Sequence, residues 1–353
     1  MIFSKSHVWA ILFASNLLFI SCDKGDEKPS ELYQTGVFIT NEGPFGSGTG
    51  TLSYYDRDAA TVKNDIYSIA NSGATLGNVL QSMNLYGGKA FIIVNNANKM
   101  IVATAKNMVN ESTLATGLTL PRYFLPIDVN RAYITQWGKD SATSGIAVYD
   151  YASKTIAKVI ATGKGAERMI RNSTSGAIWV LNSGGLGKDS TVTIVNSLVD
   201  SVLQKIKVGL GPNSIAQDAN GDMWVLCYGE FQKSNGKLVK IRNNAVEYYF
   251  DVPYGASSLI ADKSKTTLYF LANNQIYTKD LLNFGATPPS VFLKPTGAIT
   301  LYSLGFDQRT SLLWCGDAID FKQSGVVYII DPTTKTEKNK LTVGIAPNGF
   351  IFQ

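Results

Sequence analysis

Ile178-Trp179-Val180-Leu181 is followed 45 residues later by Met223-Trp224-Val225-Leu226, and at the same interval by Leu268-Tyr269-Phe270-Leu271 and Leu313-Trp314-Cys315. Working outward, Ala132-Tyr133-Ile134-Thr135, Ala90-Phe91-Ile92-Ile93 and Val37-Phe38-Ile39-Thr40 extend the series toward the N-terminus. Each copy is a short run of β-branched, aromatic and aliphatic residues, the composition of a buried strand. A period of roughly 40–50 residues with several short strands per repeat is the mark of a β-propeller. The expected fold is therefore all-β, a seven-bladed β-propeller of four-stranded blades, with the aromatic run as the second strand of each blade.

The third strands follow as Leu52 to Asp56, Met100 to Thr104, Ile146 to Asp150, Val192 to Asn196, Leu238 to Ile241, Ile276 to Thr278 and Val326 to Asp331. Asp56, Asp150 and Asp331 end three of them and are expected to start turns by accepting backbone N–H bonds. Innermost strands lie ten or eleven residues before the aromatics, as in Pro121-Arg122-Tyr123-Phe124 and Pro212-Asn213-Ser214-Ile215. The first repeat has no such segment upstream, whereas Ala346-Pro347-Asn348-Gly349-Phe350-Ile351 has no aromatic strand after it. Ring closure reconciles the two: the C-terminal strand pairs in the first blade and removes an open sheet edge. The aromatics could stack on a ligand, but their recurrence at one place in every blade reads as interblade core.

Residues 1–21 carry a basic start at Lys5, an apolar run from Val8 to Ile20, and a small-residue site before Cys22. That is the layout of an export signal. Leu18-Phe19-Ile20-Ser21-Cys22 resembles a bacterial lipobox, which implies lipidation of Cys22; the alternative is an ordinary secretory signal. Residues 22–32 are charged and read as a flexible tether, leaving 33–353 for the propeller. The acidic Asp23, Asp26 and Glu27 resemble the surface-export signal of Bacteroidetes lipoproteins.

The one histidine, His7, lies inside the signal. Ser-His-Asp and Cys-His chemistry and histidine-bound metals are thus outside the mature chain's reach. Without the signal the chain has 31 basic residues (32 less Lys5) against 27 acidic, with no basic cluster, so no nucleic-acid partner is expected. Cys227 and Cys315 fall two blades apart and are expected as free thiols. No cofactor and no metal site is expected.

In a propeller the loops after the second strands and before the inner strands emerge on one face, around the channel mouth. Five of the former are long and share a polar strand end, glycines and an apolar tip. The polar ends singled out are Asn41, Glu42, Gln136, Asn182, Tyr228 and Asp317; the tips are Phe45, Trp137, Leu186, Phe231 and Phe321. Apolar tips clustered on one face would mark a binding surface, although two or three of the five are expected to fold back over their own loops. Beneath them the starts of the inner strands would supply Arg122, Tyr123, Glu167, Arg168, Asn213, Tyr302 and Asn348, with Gln81 and Ser257 in the same ring. Apolar walls over a few convergent polar groups describe a small-molecule pocket; the alternative is a ring that holds channel water.

The lipobox, the Asn41-Glu42-Gly43 opening, Leu52-Ser53-Tyr54-Tyr55-Asp56 and Ala90-Phe91-Ile92-Ile93-Val94-Asn95-Asn96 resemble the YncE-like surface-layer propellers of Bacteroidetes over essentially the whole mature chain. That resemblance implies a monomeric, lipid-anchored propeller at the cell surface of the outer membrane. It also implies capture of a small-molecule nutrient such as a corrinoid (cobalamin) for a TonB-dependent receptor. Two other readings stay open. One is an interaction module that binds a protein or glycan through the same rim. The other is a lactonase-type hydrolase with Ca²⁺ held by oxygens of Glu167, Asn213 and Asn348.

Overall fold

The computed structural model describes residues 1–2, 33–140, 142–282 and 287–353. The expected tether, Cys22 and all but the first two residues of the expected signal lie outside the described residues. Among the described residues the strands form seven antiparallel sheets of four. The inner strands are Pro347–Phe352, Leu80–Tyr86, Pro121–Pro126, Ala166–Arg171, Pro212–Gln217, Ser257–Ala261 and Leu301–Asp307. Each packs on the next, and Leu301–Asp307 packs on Pro347–Phe352, so the inner strands close a ring.

The second strands are buried along their length, save for a half-buried first residue in four of them, because both of their faces meet a neighbouring blade. Phe38, Phe91, Tyr133, Trp179, Trp224, Tyr269 and Trp314, one per blade, are all buried. They recur at the same place because each blade needs the same large wedge against the next. The third-strand aspartates behave as expected. Asp56 accepts the N–H groups of Asp58 and Ala59, Asp150 that of Ser153, and Asp331 those of Thr333 and Thr334. Cys227 and Cys315 are free and buried. Burial pushes the Cys227 thiol up to about 12 and raises that of Cys315 as well, so neither is an available nucleophile. The sequence reading did not anticipate a five-residue helix, Ile66–Ala70, between the first and second blades.

The first blade is closed by the chain's end. Val37–Asn41 pairs with Thr51–Asp56 on one side and with Pro347–Phe352 on the other, from Val37 opposite Phe352 to Asn41 opposite Pro347. Phe350 and Phe352 pack on Trp314 of the seventh blade, at centroid separations of 5.8 and 5.7 Å. The loop before this strand is fastened too: Glu42 N–H donates to Ala346 O and Gly43 N–H to Ile345 O.

Arg57 locks the seam. Its guanidinium donates to the carbonyls of Thr35, Gly36 and Gln353 and to the Asp307 carboxylate at 2.7 Å. One side chain therefore ties the entering chain, the departing chain and the seventh blade together. Its Asp307 partner is only 1% exposed.

Candidate functional site

An extra residue in every inner strand builds the channel mouth. In all seven sheets the register between inner and second strand slips near the same end. Within the slips lie Gln81, Arg122 with Tyr123, Glu167 with Arg168, Asn213, Ser258, Tyr302 and Asn348. A bulge of this kind bends the strand and re-aims the unpaired residue. Here it turns a polar side chain from each blade into a common cavity.

The backbone groups freed by the bulges find side-chain partners, as buried peptide groups must. Ser82 Oγ donates to Arg122 O, Asn213 Nδ2 to Ala256 O, Ser303 Oγ to Pro347 O and Asn348 Nδ2 to Leu80 O. Each of these bonds joins one blade to the next, so the ring that aims the polar groups is also cross-stitched.

The cavity has a volume of about 930 Å³. That is near the upper end of pockets that enclose drug-sized ligands, roughly 300–1,000 Å³. Glu167 and Arg122 anchor its floor. The Glu167 carboxylate accepts from Arg122 Nε at 3.1 Å and Nη2 at 2.9 Å, and from Trp137 Nε1 at 2.8 Å. Arg122 also donates to Gln81 Oε1, and its guanidinium lies 4.2 Å over the Trp137 ring. Burial on its own would lower the Arg122 pKa; Glu167 beside it outweighs that and the net shift is upward. Opposite, the Tyr302 hydroxyl donates to Glu42 Oε2 at 2.5 Å. Burial raises the Glu42 pKa even though Tyr302 and Arg122 oppose the rise.

Around the rim stand Phe45, Leu186 and Phe231, at 76%, 73% and 64% exposure, all lining the cavity. Tyr228 and Phe231 both pack on Tyr254, at 4.9 and 5.5 Å, which makes the fifth blade's loop an aromatic wall. The Leu186 loop crosses very close to its neighbour. A Cβ at Gly165, whose φ is +65°, would stand 2.0 Å from Gly185 N, so the site accepts only glycine.

Two tips fold inward. Trp137 is half-buried and belongs to the Glu167 network. Phe321 turns its ring onto Tyr302 at 5.1 Å and does not line the cavity.

Four expected polar residues have a different place. Asn41, Gln136, Asn182 and Asp317 are buried at the ends of the second strands and do not line the cavity. Gln136 Oε1 accepts from Thr119 N–H, Asn182 Oδ1 from Gly163 N–H, and Asp317 from the N–H groups of Ile299 and Thr300. Asn41 Nδ2 donates to Thr51 and Ser53. These side chains shape the strand ends and clasp the connection into the inner strand; they are scaffold. Their recurrence in equivalent positions was the available signal, by the logic that assigned the aromatics to the core.

The remaining expected residues, namely Glu42, Phe45, Arg122, Tyr123, Glu167, Arg168, Asn213, Tyr228, Phe231, Tyr302 and Asn348, line the cavity with Trp137, Gln81 and Ser257. Sequence reasoning missed Tyr254, Asn96 and Ser258, which line it as well. The oxygens considered for Ca²⁺ are engaged: Glu167 by Arg122, Asn213 Oδ1 by Ser214, and Asn348 Oδ1 by Thr40. A cation there would have to displace a guanidinium.

Glu167→Gln removes the charge that compensates half-buried Arg122, and the expected loss of stability is about 2 kcal/mol. Thermal denaturation followed by circular dichroism checks this; an unchanged melt would contradict the anchoring role.

Comparison with known proteins follows the fold. Residues 35–307 match the family described as "Domain of unknown function (DUF5074)". A search of curated proteins finds no match. Among solved structures the chain is similar to a quinonprotein alcohol dehydrogenase-like protein of Bacteroides thetaiotaomicron, with 14% identity and a TM-score of 0.65 over 90% of this chain and 78% of that one. It is similar to the periplasmic gluconolactonase of Pseudomonas aeruginosa, with 12% identity and a TM-score of 0.65 over 90% and 98%. Hydrazine synthase of Kuenenia stuttgartiensis gives 12% identity and a TM-score of 0.61 over 78% and 92%. At such identities the likeness is one of fold alone.

Proposed function

The chain belongs to the DUF5074 family, and within that family we propose that it acts as a binding protein holding a small amphipathic molecule in the channel-mouth cavity. The observation that carries this reading is the convergence of seven bulged inner strands on one cavity of about 930 Å³ with exposed apolar tips at its rim. Pockets that bind small molecules combine apolar walls with a few fixed polar groups. Arg122, Glu167, Asn213, Tyr302 and Asn348 are held by hydrogen bonds before any ligand arrives, so little ordering cost accompanies binding. In the fuller form of the proposal the protein is a lipid-anchored surface component, tethered through Cys22, that hands a nutrient to an outer-membrane transporter. A corrinoid is the ligand that the family resemblance suggests. The exposed Phe45, Leu186 and Phe231 favour a second reading, a rim that docks a protein or glycan.

Calorimetric titration with cobalamin, alongside the uncharged aromatic probe phenylnaphthylamine, separates these readings. A cavity binder takes up at least one of them with one-to-one stoichiometry, and Phe231→Ala weakens uptake without lowering the melting temperature. Ligand at about a hundredfold its Kd is expected to add about 2.7 kcal/mol of stability. Binding of neither probe would remove the cavity reading and leave the rim.

A further inference from the structure

Six charged side chains line the cavity: Glu42, Arg122, Glu167, Arg168, Lys188 and Glu230. Five of them have partners. Arg122 pairs with Glu167 at 2.9 Å, Lys188 with Glu230 at 2.7 Å, and Glu42 accepts from Tyr302. Arg168 differs. It sits in the fourth blade's bulge, half-buried, with its guanidinium 4.6 Å over the Tyr123 ring. Among the described residues it has no hydrogen-bond or ion-pair partner. The ring face favours the positive charge but accepts none of the N–H donors. The adjacent carboxylate, Glu167, is turned to Arg122 and Trp137.

We propose that Arg168 is the anion-holding group of the cavity, and that its ligand class is an amphipathic molecule bearing one oxyanion (carboxylate, sulfonate or phosphate) on a ring-containing body. The inference rests on the reading of the cavity as a ligand site and narrows it. A planar guanidinium with open donors receives an oxyanion in bidentate fashion, and charge assistance makes such bonds strong. The aromatic wall of Tyr228, Phe231 and Tyr254 supplies the apolar surface for the ligand's body. The other lining charges sum to −1 (two positive, three negative), and four of those five are taken up in the Arg122–Glu167 and Lys188–Glu230 pairs. An oxyanion at Arg168 therefore meets little opposing charge.

The experiment compares two fluorescent probes that share one hydrophobic body: anilinonaphthalene sulfonate, and phenylnaphthylamine, which lacks the sulfonate. The protein is expected to bind the sulfonate about tenfold more tightly than the neutral probe. Arg168→Gln should erase that preference and leave phenylnaphthylamine affinity and the melting temperature unchanged. Arg168→Lys should retain part of the preference, and Lys188→Gln all of it. Naphthoate and naphthyl phosphate should displace the sulfonate, with their ranking separating carboxylate from phosphate ligands, while naphthol should not. Equal affinities for the two probes in the wild type, or equal weakening of both by Arg168→Gln, would overturn the anion assignment while the cavity reading stands. Failure of both probes to bind would overturn the anion assignment, and failure of cobalamin as well would overturn the cavity reading with it.

Discussion

Deletion of residues 345–353 is expected to abolish cooperative folding of the ring. The segment supplies the inner strand of the first blade, paired along Val37–Asn41. Its loss leaves a second strand, buried along its whole length, with an unpaired edge. The aromatic contacts of Phe350 and Phe352 with Trp314 vanish, and so do the bonds from Asn348 to Leu80 and from Ser303 to Pro347. In a propeller each blade is stabilised by its neighbours, so an opening at one seam weakens blades on both sides. Circular dichroism melts and size-exclusion chromatography of the shortened chain report the outcome. The expected result is aggregation or a broad, early transition; a sharp melt near that of the intact protein would contradict the closure account.

Arg57→Ala should have the next largest effect, roughly 3–5 kcal/mol, because it strands a buried carboxylate. Asp307 loses its guanidinium, and the carbonyls of Thr35, Gly36 and Gln353 lose their donor in the same step. A drop in Tm on the order of 10 °C follows for a chain of this size. The double variant Arg57→Met with Asp307→Leu should lose less than the two single changes added together, since the second removes the orphaned charge. The pair also predicts the pH response. Burial alone would raise the Asp307 pKa, but hydrogen bonds from Arg57, Thr310 and the Arg309 N–H outweigh it and the net shift is downward. A carboxylate depressed in the folded state contributes its stability above the unfolded value, about 3.9, and loses it as pH falls through the lower folded value. The wild type should therefore shed part of its stability below about pH 4, and Arg57→Ala should shed less over the same window.

The architecture was readable because a propeller repeats its needs. Trp179, Trp224, Tyr269 and Trp314 stand at equal spacing since each fills the same wedge, and the surplus segment at Pro347 could only belong to the blade that lacked one. The site was less legible, for two physical reasons. A bulge adds one residue without disturbing the apolar pattern on either side, so the place of Asn213 and Tyr302 at the starts of inner strands was readable while the bulge that aims them into the cavity was not. Short polar side chains also serve equally well as ligands and as backbone clasps. Asn182 and Asp317 have the chemistry of a binding residue, yet their bonds to Gly163, Ile299 and Thr300 assign them to the scaffold. Trp137 carried the same ambiguity: an indole can cap a rim or donate inward, and a buried Glu167 within reach decides for the second. The isolation of Arg168 could be seen only once Glu167 was placed against Arg122.

The most direct measurement is a crystal structure of the protein grown with anilinonaphthalene sulfonate. The account predicts one molecule in the channel mouth, its sulfonate about 3 Å from the Arg168 guanidinium and its rings against Phe231 and Tyr254. A probe found only on the outer strands, with the bulged residues untouched, would contradict it.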